Sequence, residues 1–311
     1  MESKFYQKKL GILGGGQLGK MLITECNKMD ISVSVLDPSN GSPCKNICEK
    51  FECGDFKDYD TVVKFGEKCD IITFEIEHVN VDALEFLEKN GKEVYPKSKT
   101  LKIIQDKNKQ KSFFKKNSIP TANFKFFSNI SEFKSSISQN KINFPCIWKK
   151  TKFGYDGFGV KILKSVDDID SLPETEMIIE DLIPFDKELS VIVSRNVSGE
   201  IKCYDTVEME FNKNSNQVEF VISPARIENK VNKYAKELAI KISESLDCIG
   251  LLAVEMFLYG DKILVNEIAP RPHNSGHFSI EACDSSQFQQ HLRSILNLKL
   301  GETNHKGTAI M

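Results

Sequence analysis

The sequence predicts an α/β protein, with α+β lobes following a doubly wound parallel sheet, and three observations predict it. A short apolar strand, Lys9 to Leu13, runs into Gly14-Gly15-Gly16-Gln17-Leu18-Gly19 and then into a helix over Lys20 to Met29. A second strand, Asp70 to Phe74, delivers Glu75, Glu77 and His78 to its carboxyl end, where open parallel sheets hold ligands. With 311 residues, the chain exceeds what one small core usually handles, so several lobes are expected, with ligand sites between them.

Composition excludes several classes. Lys plus Arg number 42 against 44 Asp plus Glu, a formal charge of -2, so no basic footprint marks a nucleic-acid partner. No apolar run approaches the roughly 18 residues of a membrane span, and Met1 to Lys9 lacks a signal peptide's apolar region. A cytoplasmic protein with no membrane partner is expected. Its nine cysteines are scattered and read as reduced thiols; the spacing of Cys44, Cys48 and Cys53 fits no common zinc pattern.

In chain order, the glycine segment lets backbone approach a phosphate while helix amides point at it, which makes Gly16, Gln17 and Leu18 candidate ligand contacts. A strand over Ser32 to Leu36 ends at Asp37, where a dinucleotide fold would hold a ribose. Glu75 beside the glycine turn could bind a sugar or an amine. A helix over Asp82 to Lys89 and a strand over Glu93 to Tyr95 complete a first domain over residues 1–96, closed at Pro96. The lysine-rich stretch Ile104 to Lys116 reads mostly as a solvated face.

A strand over Cys146 to Lys149 leads into Thr151-Lys152-Phe153-Gly154-Tyr155-Asp156-Gly157-Phe158-Gly159 and a strand from Val160 to Leu163. Three glycines in six residues predict a mobile hairpin able to fold over a nucleotide, with Lys149 as the phosphate partner. That hairpin belongs to a small lobe over 97–176, and a larger lobe follows over 177–311. The strand Met177 to Ile179 ends in Glu180-Asp181-Leu182-Ile183, before Glu188 opens the next strand; such a crossing presents backbone groups to adenine and a carboxylate to ribose. Strands over Ile201 to Met209 and Gln217 to Ser223 carry Glu208 and lead to Arg226, and Val231 to Leu246 has helical core periodicity. A last helix is expected over Gln287 to Leu296.

The densest cluster lies between. An apolar run, Lys262 to Val265, delivers Asn266 and Glu267 to a strand end, and Pro270 and Pro272 stiffen a loop carrying Arg271, His273, Asn274, Ser275 and His277. A carboxylate beside an amide suits a hard cation such as Mg2+, with Arg271 facing the anions; the plain alternative is a surface ion pair of Glu267 and Arg271. Glu255, inside the apolar strand Leu251 to Tyr259, is the second metal carboxylate. A two-residue Gly260-Asp261 turn would point the two carboxylates to opposite faces, so convergence demands an odd-length or bulged connection.

Gly-Gly-Gly-Gln-Leu-Gly, Thr-Phe-Glu-Ile-Glu-His, Gly154-Tyr155-Asp156-Gly157, Val254-Glu255-Met256-Phe257 and Asn266 through His277, in this order and spacing, together closely resemble the N5-carboxyaminoimidazole ribonucleotide synthetase family. The resemblance covers nearly the whole chain. It implies an ATP-grasp fold with a Rossmann-like N-terminal domain, and an ATP-dependent ligase of purine biosynthesis that joins bicarbonate to 5-aminoimidazole ribonucleotide through carboxyphosphate. It further implies a homodimer. Carried over by position, Lys107 and Lys149 contact ATP phosphates beneath the loop Gly154, Tyr155, Asp156, Gly157, Phe158, Gly159 and Val160. Glu180 and Leu182 hold adenine, Glu188 binds ribose, and Asp181, Ile183, Glu208, Asn266 and Glu267 complete the nucleotide site. Glu255 and Glu267 bind Mg2+. Gly16, Gln17, Leu18, Glu75, Glu77, Arg226, Arg271, His273 and Asn274 surround the ribonucleotide and bicarbonate, with Arg271, Tyr155, Asp156 and Lys149 catalytic.

Lys107 stands where many relatives carry Arg, and Phe158 where a basic residue often follows. The chain stops at Met311, where the resembled family continues into a terminal segment with cationic contacts to the ribonucleotide. Alternatives are a sister ATP-grasp ligase such as formate-dependent glycinamide ribonucleotide transformylase, a nicotinamide-dependent oxidoreductase resting on Gly14 to Gly19 and Asp37, and a nucleotide-binding relative without turnover.

Overall fold

The computed structural model describes residues 7–152, 154, 159–212 and 218–311. The described residues start with β1 (Leu10–Leu13), α1 (Gln17–Lys28), β2 (Val33–Asp37), β3 (Lys50–Cys53), α2 (Tyr59–Gly66), β4 (Ile71–Phe74), α3 (Val81–Lys89) and β5 (Glu93–Val94). All five strands are parallel in the order β3-β2-β1-β4-β5, so the strand order reverses between β1 and β4, and the two loops carrying the glycines and the acidic residues open side by side at that switch. Local chemistry sets the helix starts: the Asp58 side chain accepts from the Thr61 amide at 2.8 Å and Asn80 from the Ala83 amide at 2.9 Å.

The lysine-rich stretch forms two helices, α4 (Ser98–Ile104) and α5 (Lys107–Lys116). Asp106 divides them, its carboxylate accepting from the amides of Asn108 and Lys109 at 3.0 and 3.1 Å. That cap places Lys107 and Lys111 one turn apart on a face turned inward, and Lys111 is only 2% exposed. The solvated-face expectation therefore fails for these two lysines.

A four-stranded sheet, β6-β9-β7-β8, makes the small lobe. It contains β6 (Phe124–Phe127), α6 (Ile130–Ser138), β7 (Cys146–Lys150), β8 (Val160–Leu163) and β9 (Met177–Asp181), around a core of Phe133, Trp148 and Met177. The larger sheet has the path β15-β14-β10-β12-β13-β16, with β11 alongside β10. Its members are β10 (Lys187–Arg195), β11 (Ile201–Cys203), β12 (Val207–Phe211), β13 (Val218–Ser223), β14 (Gly250–Tyr259), β15 (Lys262–Ala269) and β16 (Ala309–Ile310), accompanied by α7 (Asn229–Leu246), α8 (Ser279–Ala282) and α9 (Gln287–Ile295).

Two expectations change here. The strand over Ile201 to Met209 is two strands, because Tyr204 turns its ring into the core and donates its hydroxyl to the Ser285 carbonyl at 2.8 Å. The strand after Gly260-Asp261 does not stop at Val265 but pairs with β14 through Ala269, so Asn266 and Glu267 lie within it.

Alternation along the large sheet assigns its faces. Leu189, Val191, Val254 and Met256 pack against α7, while Ile192, Ala253 and Ala269 face the other side with Tyr204 and Phe278. The last helix, α9, does not stay with its own lobe: Phe288, Leu292 and Ile295 share a core with Leu10, Ile12, Leu22 and Ile23 of the first domain. Burying such side chains stabilises by about 1.5–3 kcal/mol each, so this seam fixes the first sheet relative to β14. At its centre, His291 Nε2 lies 2.9 Å from Thr73 Oγ1, and Nδ1 accepts from the Leu251 amide at 3.3 Å.

Candidate active site

The glycine turn is closed by the protein's own carboxylates. Gly15 N donates to Asp37 Oδ2 at 2.8 Å, Gly16 N donates to Glu75 Oε1 at 2.9 Å, and the other Asp37 oxygen accepts from Ser39 N at 2.8 Å. Asp37 is thereby committed to shaping the turn and is not presented to a ribose, which removes the residue that favoured a dinucleotide. Gly14 has φ +94°, and a Cβ there would sit 2.7 Å from Glu75 Oε1, so only glycine admits the carboxylate. Burial raises the Glu75 carboxyl above its usual range, partly opposed by the Gly16 amide. Gln17 is exposed at the start of α1, and Leu18 packs partly into the core behind it.

Across the cleft, β14 and β15 join through Gly260 and Asp261, with Tyr259 paired to Lys262 and Met256 to Val265. An unbroken ladder would set Asn266 opposite Glu255. Instead the register shifts and Glu255 pairs with Glu267, so Asn266 is the extra residue of a β-bulge. Both carboxylates then share the face that carries Ser190, the residue opposite Glu255 on β10.

Three cations from two elements, α5 and β7, meet this face. Lys107 of α5 is ion-paired with Glu267, and its ammonium beside that carboxyl, outweighing burial, holds it down at about 2. Lys149 of β7 donates to Asn266 Oδ1 at 2.9 Å and lies 3.0 Å from Glu180 Oε2. Lys111 lies 3.1 Å from the other Glu180 oxygen and donates to Thr121 Oγ1 at 2.7 Å. Glu188, at the start of β10, is pushed up to about 7, by burial first and then by the like charge of Glu255.

The loop after β15 connects the halves. Arg271 Nε lies 3.1 Å from Glu77 Oε1, on the loop after β4. His273 Nε2 lies 3.2 Å from Glu255 Oε1. Its Nδ1 accepts from Ser275 N at 3.3 Å and lies 2.8 Å from Ser275 Oγ, which lies 2.8 Å from Ser190 Oγ. With Nδ1 accepting, Nε2 carries the proton directed at Glu255. Gln287 of α9 braces the loop, accepting from His273 N at 2.9 Å and donating to His273 O at 2.7 Å. Asn274 is exposed beside it.

The structure therefore gathers Lys107, Lys149, Glu180, Glu188, Glu255, Asn266, Glu267, Arg271, His273, Glu75 and Glu77 around one cleft. Asp181 accepts from Asn123 Nδ2 at 2.8 Å, and Leu182 is exposed just beyond it, followed by Ile183. Gly159 O accepts from Lys150 N at 2.8 Å, and Val160 pairs with Lys149 beside Gly154 at the base of the hairpin. Tyr155, Asp156, Gly157 and Phe158 lie outside the described residues. Glu208 and Arg226 are not brought in. Glu208 pairs with Leu189, which faces α7, and it is bound by Arg226 Nη2 at 2.6 Å and Lys187 at 2.8 Å. Those two cations outweigh the burial that would raise the Glu208 carboxyl and hold it at about 2. Sequence reasoning missed Lys111, Ser190 and Gln287, and placed Ser275 on the loop without giving it a role. Only Lys111 left a signal, sharing a helix face with Lys107 and the buried Phe114.

Comparison with known proteins gives matching descriptions for both halves. Residues 7–105 match the ribonucleotide synthetase preATP-grasp domain, and residues 112–288 match the ATP-grasp domain. An N5-carboxyaminoimidazole ribonucleotide synthase of Bacillus subtilis is 37% identical over 301 residues, covering 95% of this chain and 78% of its own. The chain belongs to the N5-carboxyaminoimidazole ribonucleotide synthetase family. Among solved structures of that family, the synthetase from Thermotoga maritima superposes with a TM-score of 0.89 at 41% identity, covering 98% of this chain and 80% of that one. The Aspergillus clavatus synthase, solved with ADP and 5-aminoimidazole ribonucleotide, gives 0.90 at 34% identity, covering 98% and 81%. The chain spans only 55% of the length of a matching phosphoribosylaminoimidazole carboxylase from Vigna aconitifolia. The fold is an N-terminal preATP-grasp domain followed by ATP-grasp lobes.

Proposed function

We propose that this chain binds ATP with Mg2+ between its small and large lobes and uses it to carboxylate 5-aminoimidazole ribonucleotide with bicarbonate, through carboxyphosphate, in purine biosynthesis. The observation that carries the proposal is the bulge at Asn266, which sets Glu267 opposite Glu255 beneath Lys149 and Lys107. The donor set fits Mg2+: two carboxylates and an amide supply the few protein oxygens this ion takes beside phosphate and water. Glu188 is raised by burial first and then by the like charge of Glu255, and it is this second, repulsive part that a cation here would relieve. When bound, Mg2+ would neutralise charge on the phosphoryl group under transfer.

The rest of the chemistry falls to the chain's own residues, and it is mainly positioning and charge neutralisation. Lys149 and Lys107 would contact the phosphates, and the exposed crossing at Leu182 would take the adenine. Arg271, aimed by Glu77, would hold bicarbonate and then the phosphorylated anion; Glu75 would face the amine of the ribonucleotide. A homodimer, which rests on the resemblance, and a cytoplasmic location, which rests on the sequence's lack of an apolar span or signal region, complete the proposal. Phosphate release with ATP, bicarbonate and 5-aminoimidazole ribonucleotide tests it. Release is expected with that pair and not with formate and glycinamide ribonucleotide; the reverse preference would assign the chain to the sister ligase.

A further inference from the structure

Lys111 takes no part in the functions assigned above, yet it is the most deeply buried cation of the cleft. Its side chain and that of Glu180 are each 3% exposed, and Lys149 is 9% exposed. Burying an ammonium that only anchors a helix is costly, since an apolar residue would serve as well. The arrangement is a line of contacts, Thr121 to Lys111 at 2.7 Å, Lys111 to Glu180 at 3.1 Å, Glu180 to Lys149 at 3.0 Å and Lys149 to Asn266 at 2.9 Å. The sheet register explains its middle: Glu180 pairs with Ile147 and Lys149 with Ile178, so both side chains leave the same face of the small sheet, toward α5.

One carboxylate between two ammonium groups leaves one positive charge uncompensated. We propose that Lys111 is a positioning residue for nucleotide binding: by sharing Glu180 with Lys149, it keeps the Lys149 ammonium forward against Asn266 and free to meet the polyphosphate. The inference rests on the ATP-binding reading above. Without the charge on Lys111, Glu180 and Lys149 form a complete buried pair, and a phosphate must compete with a carboxylate for Lys149.

The groups facing Lys111 are Glu180 from β9, Lys149 from β7, Glu267 from β15 and Lys107 from its own helix, and Lys111 itself donates to the Thr121 hydroxyl. Burial, partly opposed by Glu180 and reinforced by Lys149 and Lys107, pulls Lys111 down to about 8. Lys111 is then charged below that pH and neutral above it, so nucleotide affinity falls as pH rises through about 8.

Calorimetric titration of the full chain with MgATP between pH 7 and 9.5, for wild type, Lys111→Arg and Lys111→Met, tests this. The dissociation constant of the wild type is expected to weaken about tenfold across the range, or about 1.4 kcal/mol, with its midpoint near pH 8. Lys111→Arg, charged throughout, is expected to give a flat profile, and Lys111→Met to bind weakly at every pH. A merely structural lysine gives no such midpoint. A flat wild-type profile, an Arg variant with the same midpoint, or a folded Met variant binding as the wild type does at pH 7 would overturn the proposal. Should the Met variant not fold, wild type against Lys111→Arg still decides it. Absence of ATP binding by the wild type at every pH would instead overturn the ATP-binding reading itself.

Discussion

Glu255 and Glu267 stand directly opposite one another on antiparallel strands joined by a two-residue turn, a pairing possible only because Asn266 bulges out of the ladder between them. The bulge does two things at once. It brings the carboxylates to one face, and it turns the Asn266 amide to Lys149.

The contact between Arg271 and Glu77, at 3.1 Å, ties the loop after β15 to the first domain. Burial raises the Glu77 carboxyl and the Arg271 guanidinium opposes that rise, so the pair is mutually dependent. Glu77→Gln is expected to raise KM for 5-aminoimidazole ribonucleotide about tenfold, since a charged hydrogen bond contributes about 1.5–3 kcal/mol, and to leave MgATP affinity within about twofold. Steady-state kinetics beside calorimetry check this. Equal losses for both ligands would show that the pair supports the fold rather than the substrate side.

Gly276 abuts Gln287, and a Cβ at this position would lie 2.6 Å from the Gln287 carboxamide carbon. Gln287 is fully buried and bonded to both backbone groups of His273, so it has no room to retreat. Gly276→Ala is expected to destabilise by about 1–3 kcal/mol, measured by urea unfolding, and to lower activity by displacing His273. A variant as stable and as active as the wild type would show that the loop is looser than these contacts require.

His291, fully buried in the seam between α9 and the first domain, is pulled by burial from 6.5 down to about 4. Between those values the unfolded chain binds a proton that the folded chain excludes, so stability falls as pH drops from about 6.5 toward 4. The contribution to that loss at pH 5 is on the order of 2 kcal/mol. His291→Gln cannot titrate and is expected to flatten the fall in melting temperature between pH 7 and 5. An unchanged slope would assign the acid sensitivity to other groups.

Much of this was legible in the residues. Strand, glycine turn and helix at Leu10 to Lys28, the acidic end of β4, and the cluster from Glu255 to His277 follow from period, turn chemistry and residue type. The demand for an irregular connection between Glu255 and Glu267 follows from strand alternation alone. What escaped was decided by tertiary packing. Lys111 reads as solvent-facing until the small sheet closes over α5. Asp37 reads as a ribose ligand until its oxygens meet the Gly15 and Ser39 amides. Glu208 and Arg226 read as site residues until sheet alternation sends Glu208 to the α7 face. Nor does helical periodicity tell whose core α9 will join.

The most direct measurement is phosphate release by Glu267→Gln with ATP, Mg2+, bicarbonate and 5-aminoimidazole ribonucleotide, beside a thermal melt of the same variant. A neutral amide keeps the shape of the site but weakens its hold on Mg2+ at the phosphates. The expected result is a loss of about a hundredfold or more in turnover from a variant that melts as a folded protein. Near-normal phosphate release by that folded variant would contradict the two-carboxylate metal site.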